Sequence, residues 1–156
     1  TSAGAEHAAG ARAALPVAEE KERAWQLATE DPDVPNETHR KVCAGFWQYG
    51  QEFDYTDRYV TLLEDISAKR GSWGERGYAA IVAAVRWLFP APRMTEELVD
   101  RFTAWLDSGD ASQQVHRIVT ERVDDARRAL NAQRASSVFA SPAPREDQHG
   151  SEADGG

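Results

Sequence analysis

Apolar residues recur along this chain at intervals of three and four, broken by proline, glycine and asparagine, and that pattern predicts helices. Pro16 suits a first helical turn, with Glu19 and Glu20 near the positive end of the dipole. That helix carries Trp25 and Leu27 and should stop at about Thr29, before Asp31-Pro32. Asn36 is an N-cap candidate for a second helix bearing Val42, Cys43, Phe46 and Trp47, which Gly50 ends. A third, over about 54–69, sets Tyr55, Tyr59, Leu62, Leu63 and Ile66 on one face; Gly71 breaks it. The fourth, over about 72–89, is apolar almost all round from Ala79 to Val85, which predicts the deepest burial. After Pro90 and Pro92, Thr95-Glu96-Glu97 opens a fifth helix with Leu98, Phe102, Trp105 and Leu106 on its face. Ser108-Gly109-Asp110 turns the chain into the sixth, about 111–134, striped by Val115, Ile118, Val119, Val123, Ala126 and Leu130.

No segment alternates with period two, so the fold class expected is all-α. Six helices with short connections pair as three antiparallel hairpins, starting near Pro16, Asp54 and Thr95. Starts some 40 residues apart match the period of a HEAT-like α-solenoid; a compact bundle is the alternative. Residues 1–15 then form a flexible or helical lead-in and 16–134 the helical-hairpin domain. Residues 135–156, rich in Ser, Pro and Gly, read as a disordered tail.

Composition narrows the function classes. At 156 residues the chain suits one domain, and its apolar runs are too short to span a bilayer. A net charge of −8 argues against a nucleic-acid binder, which needs a concentrated basic surface. The lone Cys43 excludes a disulfide framework; it fits a reducing cytoplasm, the localisation expected, and also a secreted protein without disulfides. Residue 1 is Thr rather than Met, as expected of a processed product or a piece of something longer.

The search for chemistry finds little. There is no H-E-x-x-H, no C-x-x-C, no phosphate-cradling glycine loop and no G-x-S-x-G. His39 and Cys43, four apart, share a helix face, but zinc normally takes three or four protein ligands. The expectation is a solvent-facing His39 and a small buried Cys43, neither nucleophile nor ligand. Carboxylate pairs such as Glu19/Glu20, Asp54/Asp57 and Asp124/Asp125 read as solvated faces and favourable first turns. Arg122, Arg127, Arg128 and Arg134 stripe the last helix, either complementing its dipole or lining a groove for an anionic group such as a peptide carboxylate. Trp25, Trp47, Trp73, Trp87 and Trp105 are expected mostly between helices, with a minority on an exposed face.

Five segments together carry a resemblance. They are the Ala-rich start with His7-Ala8-Ala9, Lys21-Glu22-Arg23-Ala24-Trp25, the run from Gly45-Phe46-Trp47-Gln48 to Gly50-Gln51-Glu52, Asp57-Arg58-Tyr59-Val60 and Arg127-Arg128-Ala129-Leu130. In this order, over about residues 5–134, they resemble the C-terminal helical domain of actinobacterial aminopeptidase N, a zinc metallopeptidase family. The resemblance implies a HEAT-like array that closes over an active site and limits which peptides enter. That family's zinc ligands and catalytic glutamate lie in an upstream domain, and no position here matches their motifs. No catalytic, cofactor-binding or metal-ligating residue is therefore carried over, and this chain alone should hold no zinc and cleave no peptide. The partners implied are an upstream catalytic domain and peptide substrates. The rival expectations are a free-standing helical adaptor that binds a protein or peptide, and a ligand-binding helical bundle with a large apolar cavity.

Overall fold

Helix starts and stops follow local chemistry closely. Thr95 caps its helix by accepting the Leu98 amide on Oγ1 at 3.2 Å, and Asp54 Oδ1 accepts the Thr56 amide at 2.9 Å. The third expected helix ends where Lys69 takes a left-handed conformation (φ 55°) and the Arg70 amide closes back on the Asp65 carbonyl at 2.9 Å. A computed structural model describes residues 1–140. They form α1 (Ser2–Ala13), α2 (Ala18–Thr29), α3 (Asn36–Phe46), α4 (Thr56–Ser67), α5 (Tyr78–Trp87), α6 (Glu96–Asp107) and α7 (Gln113–Ala140). Short 3-10 turns lie at Gly71–Gly74 and Ala91–Arg93. No strand occurs among the described residues, and the all-α expectation holds.

Of the two forms expected for the lead-in the helical one is found, and two boundaries further on differ from the expectation. The lead-in is a helix, α1, although its sequence has almost no apolar face. It docks by small side chains, with Ala9 and Ala13 buried and Gly10 against Gly45 of α3. A Cβ on Gly45 would lie 2.5 Å from the Gly10 carbonyl oxygen, so the two backbones themselves are in contact. The expected helix over 72–89 begins only at Tyr78, because Gly71 (φ 56°) opens a 3-10 turn instead. Finally, α7 does not stop at Arg134 but continues to Ala140. The rest of the expected tail, 141–156, lies outside the described residues.

Packing follows an alternating scheme. α3 lies against α1, α2 and α5; α5 lies against α3 and α7; α7 in turn meets α6, α5 and α4. Helices α1, α3, α5 and α7 thus run as a row of neighbours, with α2 laid on α3 and α6 on α7. Two aromatic clusters fill the core. Phe46 meets Trp25 and Tyr55 with ring centroids 5.4 and 4.9 Å away, while Tyr59, Phe89 and Phe102 sit within 5.9 Å of one another. Tyr59 joins α4 to α5 by donating its hydroxyl to the Val85 carbonyl at 2.7 Å.

Candidate functional site

The most suggestive pair in the sequence turns out to be structural. His39 and Cys43 both lie on the buried face of α3, at 1% and 0% exposure, which corrects the expectation of a solvent-facing His39. The cause lies in the end of α2, whose last carbonyls need donors. His39 Nε2 sits 2.9 Å from the Ala28 carbonyl and must therefore be the protonated nitrogen. Arg76 donates to the same carbonyl at 2.8 Å and also to the Asp31 carbonyl, while Ser72 donates to Thr29 at 2.9 Å. The Arg76 guanidinium rests 4.6 Å above the Trp73 ring.

This environment disarms the thiol. Burial pushes Cys43 up to about 12 and lowers His39 below the usual imidazole range, so both are neutral near pH 7. Cys43 Sγ touches His39 Nε2 at 3.7 Å, but no thiolate–imidazolium pair is favoured. Nor do these two suit a zinc ion. A Nε2 already committed to a carbonyl and a protonated thiol make poor ligands. Among the described residues, no group of three His, Cys, Asp or Glu side chains converges.

Lys21 went unrecognised as a core residue. Its ammonium is buried (1% exposed) and donates to Ala13 at 2.7 Å and to Phe46, closing the ends of α1 and α3 at once. Its stem lies with Ala24, Trp25 and Ala28 at offsets 0, 3, 4 and 7. That spacing was the available signal, masked by reading a lysine as surface.

The α7 arginines are mostly engaged. Arg127 donates to Thr103 at 2.9 Å and faces Asp124, Arg128 pairs with Asp125, and Arg134 pairs with Glu96. Arg122 stacks 5.4 Å above Phe89 and is 3.7 Å from Asp125. Of the tryptophans, Trp25 and Trp73 are buried, Trp47 and Trp105 half-buried, and Trp87 is 40% exposed.

Two clefts remain as binding candidates. The larger, about 510 Å³, lies between α2, α4 and the first 3-10 turn, floored by Trp25, Leu62 and Trp73. Its rim carries Glu30, Arg58, Asp65 and Arg70. Arg58 reaches Glu22 at 2.5 and 3.0 Å, holding that carboxyl below the usual range, and lies over the Tyr55 ring at 4.9 Å. The second cleft, about 330 Å³, is lined by Tyr49, Phe89, Pro92, Met94, Arg122 and Leu130. Both clefts combine apolar side chains with mixed charge, and neither holds a nucleophile beside a base.

An all-helical chain without a catalytic constellation among its described residues is the class these features define. Comparison with known proteins gives it a relative. The chain is 35% identical over 143 residues to part of aminopeptidase N of Streptomyces lividans; the match takes in 90% of this chain and 16% of that protein. No family model matches the chain, and no solved structure matches it. No helix of the described residues is long and apolar enough to cross a membrane.

Proposed function

We propose that this chain is the C-terminal helical domain of an aminopeptidase N-type peptidase, covering an active site carried elsewhere and limiting which peptides reach it. The observation that carries the reading is the 35% identity running through 90% of the chain while taking in only 16% of the relative. The row α1–α3–α5–α7, with α2 and α6 laid against it, agrees with a short HEAT-like solenoid. A zinc-dependent hydrolysis of peptide amino-terminal residues belongs, on this reading, to another part of the polypeptide. The work of this part is steric: clefts with aromatic floors bound a chamber, and buried Lys21 and His39, with half-buried Arg76, hold its helices in place. A single buried thiol is at home in the cytoplasm, where we place the protein.

The test has two stages. Coding sequence ahead of residue 1 should carry, in frame, an H-E-x-x-H motif and a glutamate further on; a stop codon and a local start would favour a free-standing adaptor instead. In the longer polypeptide, deleting 16–134 should change the ratio of turnover on a long peptide to that on an aminoacyl p-nitroanilide. An unchanged ratio would remove the gating role. Turnover of the p-nitroanilide by residues 1–156 alone would overturn the whole assignment.

A further inference from the structure

Among the arginines of α7, Arg122 is the one without a close partner. Arg117 donates to the Tyr78 hydroxyl, Arg127 to Thr103, Arg128 pairs with Asp125 and Arg134 with Glu96. Arg122 has only a quarter of its side chain exposed, and its guanidinium lies 5.4 Å from the centre of the Phe89 ring. The one carboxylate within reach among the described residues, Asp125, stands at 3.7 Å, beyond a hydrogen bond, and gives its other oxygen to Arg128. Nε is buried and meets no acceptor among the described residues. A guanidinium carries five N–H donors, and leaving them unmet in a partly desolvated position costs free energy that an incoming acceptor restores.

Arg122 lines the 330 Å³ cleft, which is polar mainly at that end. Arg122, Ala126, Ala129 and Gln133, at offsets 0, 4, 7 and 11, share one face of α7, and the two alanines leave the space. Phe89, Pro92 and Met94 wall it from the α5–α6 connection. Its charged lining is Arg122 and Asp125. Because Arg128 already answers Asp125, the charge left over is the single positive one on Arg122. Arg93, next to Pro92, is answered by Asp54 at 3.6 Å, and Glu121 falls outside the lining.

The backbone narrows the ligand. A peptide held along its main chain needs free amides and carbonyls. The amides of Ala91, Arg93 and Met94 are committed to carbonyls two or three residues back, Pro92 has none, and those of the α7 stripe belong to the helix. One surplus positive charge matches a monoanion, and a doubly charged phosphate beside Asp125 would be desolvated without a second cation. We infer that this cleft, between α7 and the α5–α6 connection, binds a small carboxylic acid with an apolar body, the carboxylate on Arg122 and the body over Ala126 and Ala129 against Phe89 and Met94. A guanidinium suits a carboxylate through paired N–H donors. The volume, at the small end of ligand sites, takes one aryl or branched alkyl group. This site stands or falls independently of the function proposed above.

Calorimetric titration of the 156-residue chain with 4-phenylbutyrate, its uncharged amide and the peptide N-acetyl-Ala-Ala-Phe tests it. Phenylbutyrate should bind one-to-one with a Kd below about 1 mM and, at roughly ten times Kd, raise Tm by about 3–6 °C. The amide should bind at least about ten-fold more weakly, and so should phenylbutyrate to Arg122→Gln, the factor a charge-assisted hydrogen bond carries. Ala129→Phe, at an exposed position, fills the cleft without touching the core and should abolish binding while leaving the Tm of the free protein unchanged. Equal binding of acid and amide, or undiminished binding to either variant, would overturn the inference, as would no binding of phenylbutyrate at about 10 mM. Tighter binding of the peptide than of phenylbutyrate would overturn it in favour of a peptide terminus.

Discussion

Replacing Gly45 by alanine sets two principles against each other. Intrinsic propensity favours alanine over glycine in a helix by up to about 1 kcal/mol, partly through a less free unfolded chain. The structure points the other way. The new Cβ would sit 2.5 Å from the Gly10 oxygen, 3.3 Å from its carbonyl carbon and 3.5 Å from its Cα. Those are backbone atoms and cannot rotate aside, so α1 must lift from α3. Overpacking of this kind costs about 1–3 kcal/mol. The loss is capped at the value of docking α1, which takes in the burial of Ala9 and Ala13 and the Lys21–Ala13 and Gln51–Ala14 hydrogen bonds, about 3–4 kcal/mol together. The net expectation for Gly45→Ala is a destabilisation of about 1–2 kcal/mol, or a fall in Tm of roughly 3–6 °C at this chain length. Urea unfolding gives the sign, and hydrogen exchange gives the place: α1 amides should lose protection more than those of α6. Gly10→Ala, whose Cβ would meet Lys41 no closer than 3.1 Å, should cost less. A Gly45→Ala protein at least as stable as the parent would refute the backbone-contact argument.

Three further outcomes follow from the buried polar groups. Lys21, lowered by burial to about 8 from 10.5, gives up its proton in the folded state first. Stability should therefore rise between pH 8 and 9.5, and Lys21→Met should flatten that slope in urea midpoints. His39 is lowered by the same cause, so the unfolded chain gains a proton that the folded one resists; stability should fall from pH 6.5 towards 5. Loss of that fall in His39→Leu would confirm the assignment, since Glu22 and Asp54, also lowered, act only at more acid pH. Cys43 should react with a disulfide reagent at pH 8 only as fast as the domain opens, and rapid full labelling of the native protein would contradict its burial.

What the sequence made legible was whatever hydrophobic period carries. The faces of α4 and α6 and the core stripe of α7 lie where Tyr59, Leu63, Phe102 and Ile118 imply. Helix α1 escaped the pattern because backbone approach at Gly10 and Gly45 positions it, and glycine has no hydropathy to read. His39, Lys21 and Arg76 were misread or overlooked for a related reason. Each is polar, and each is drawn inward by helix-end carbonyls contributed by a segment 8 to 48 residues away, which no local window contains. Gly71 is legible as a helix breaker, but the 3-10 turn it opens, which delays α5 to Tyr78, is not. Of the clefts, only the aromatic floor was foreseeable, from the tryptophans.

Helix α7 has one more property. Its last core-packed side chain is Leu130, and residues 131–138 are all exposed, with the Arg134–Glu96 pair their only ionic tie to α6. Those eight residues extend about 12 Å of helix into water. They need no nucleus of their own, because the packed turns before them supply it; each is held by propagation alone, where a residue gains or loses little. Asn131 to Ala135 are mostly good formers, Ser136 to Val138 poorer ones. The end of α7 is therefore a sliding boundary, not a fixed stop. Warming should walk it back towards Leu130, giving a sloping loss of helix signal well before the cooperative melt of the array.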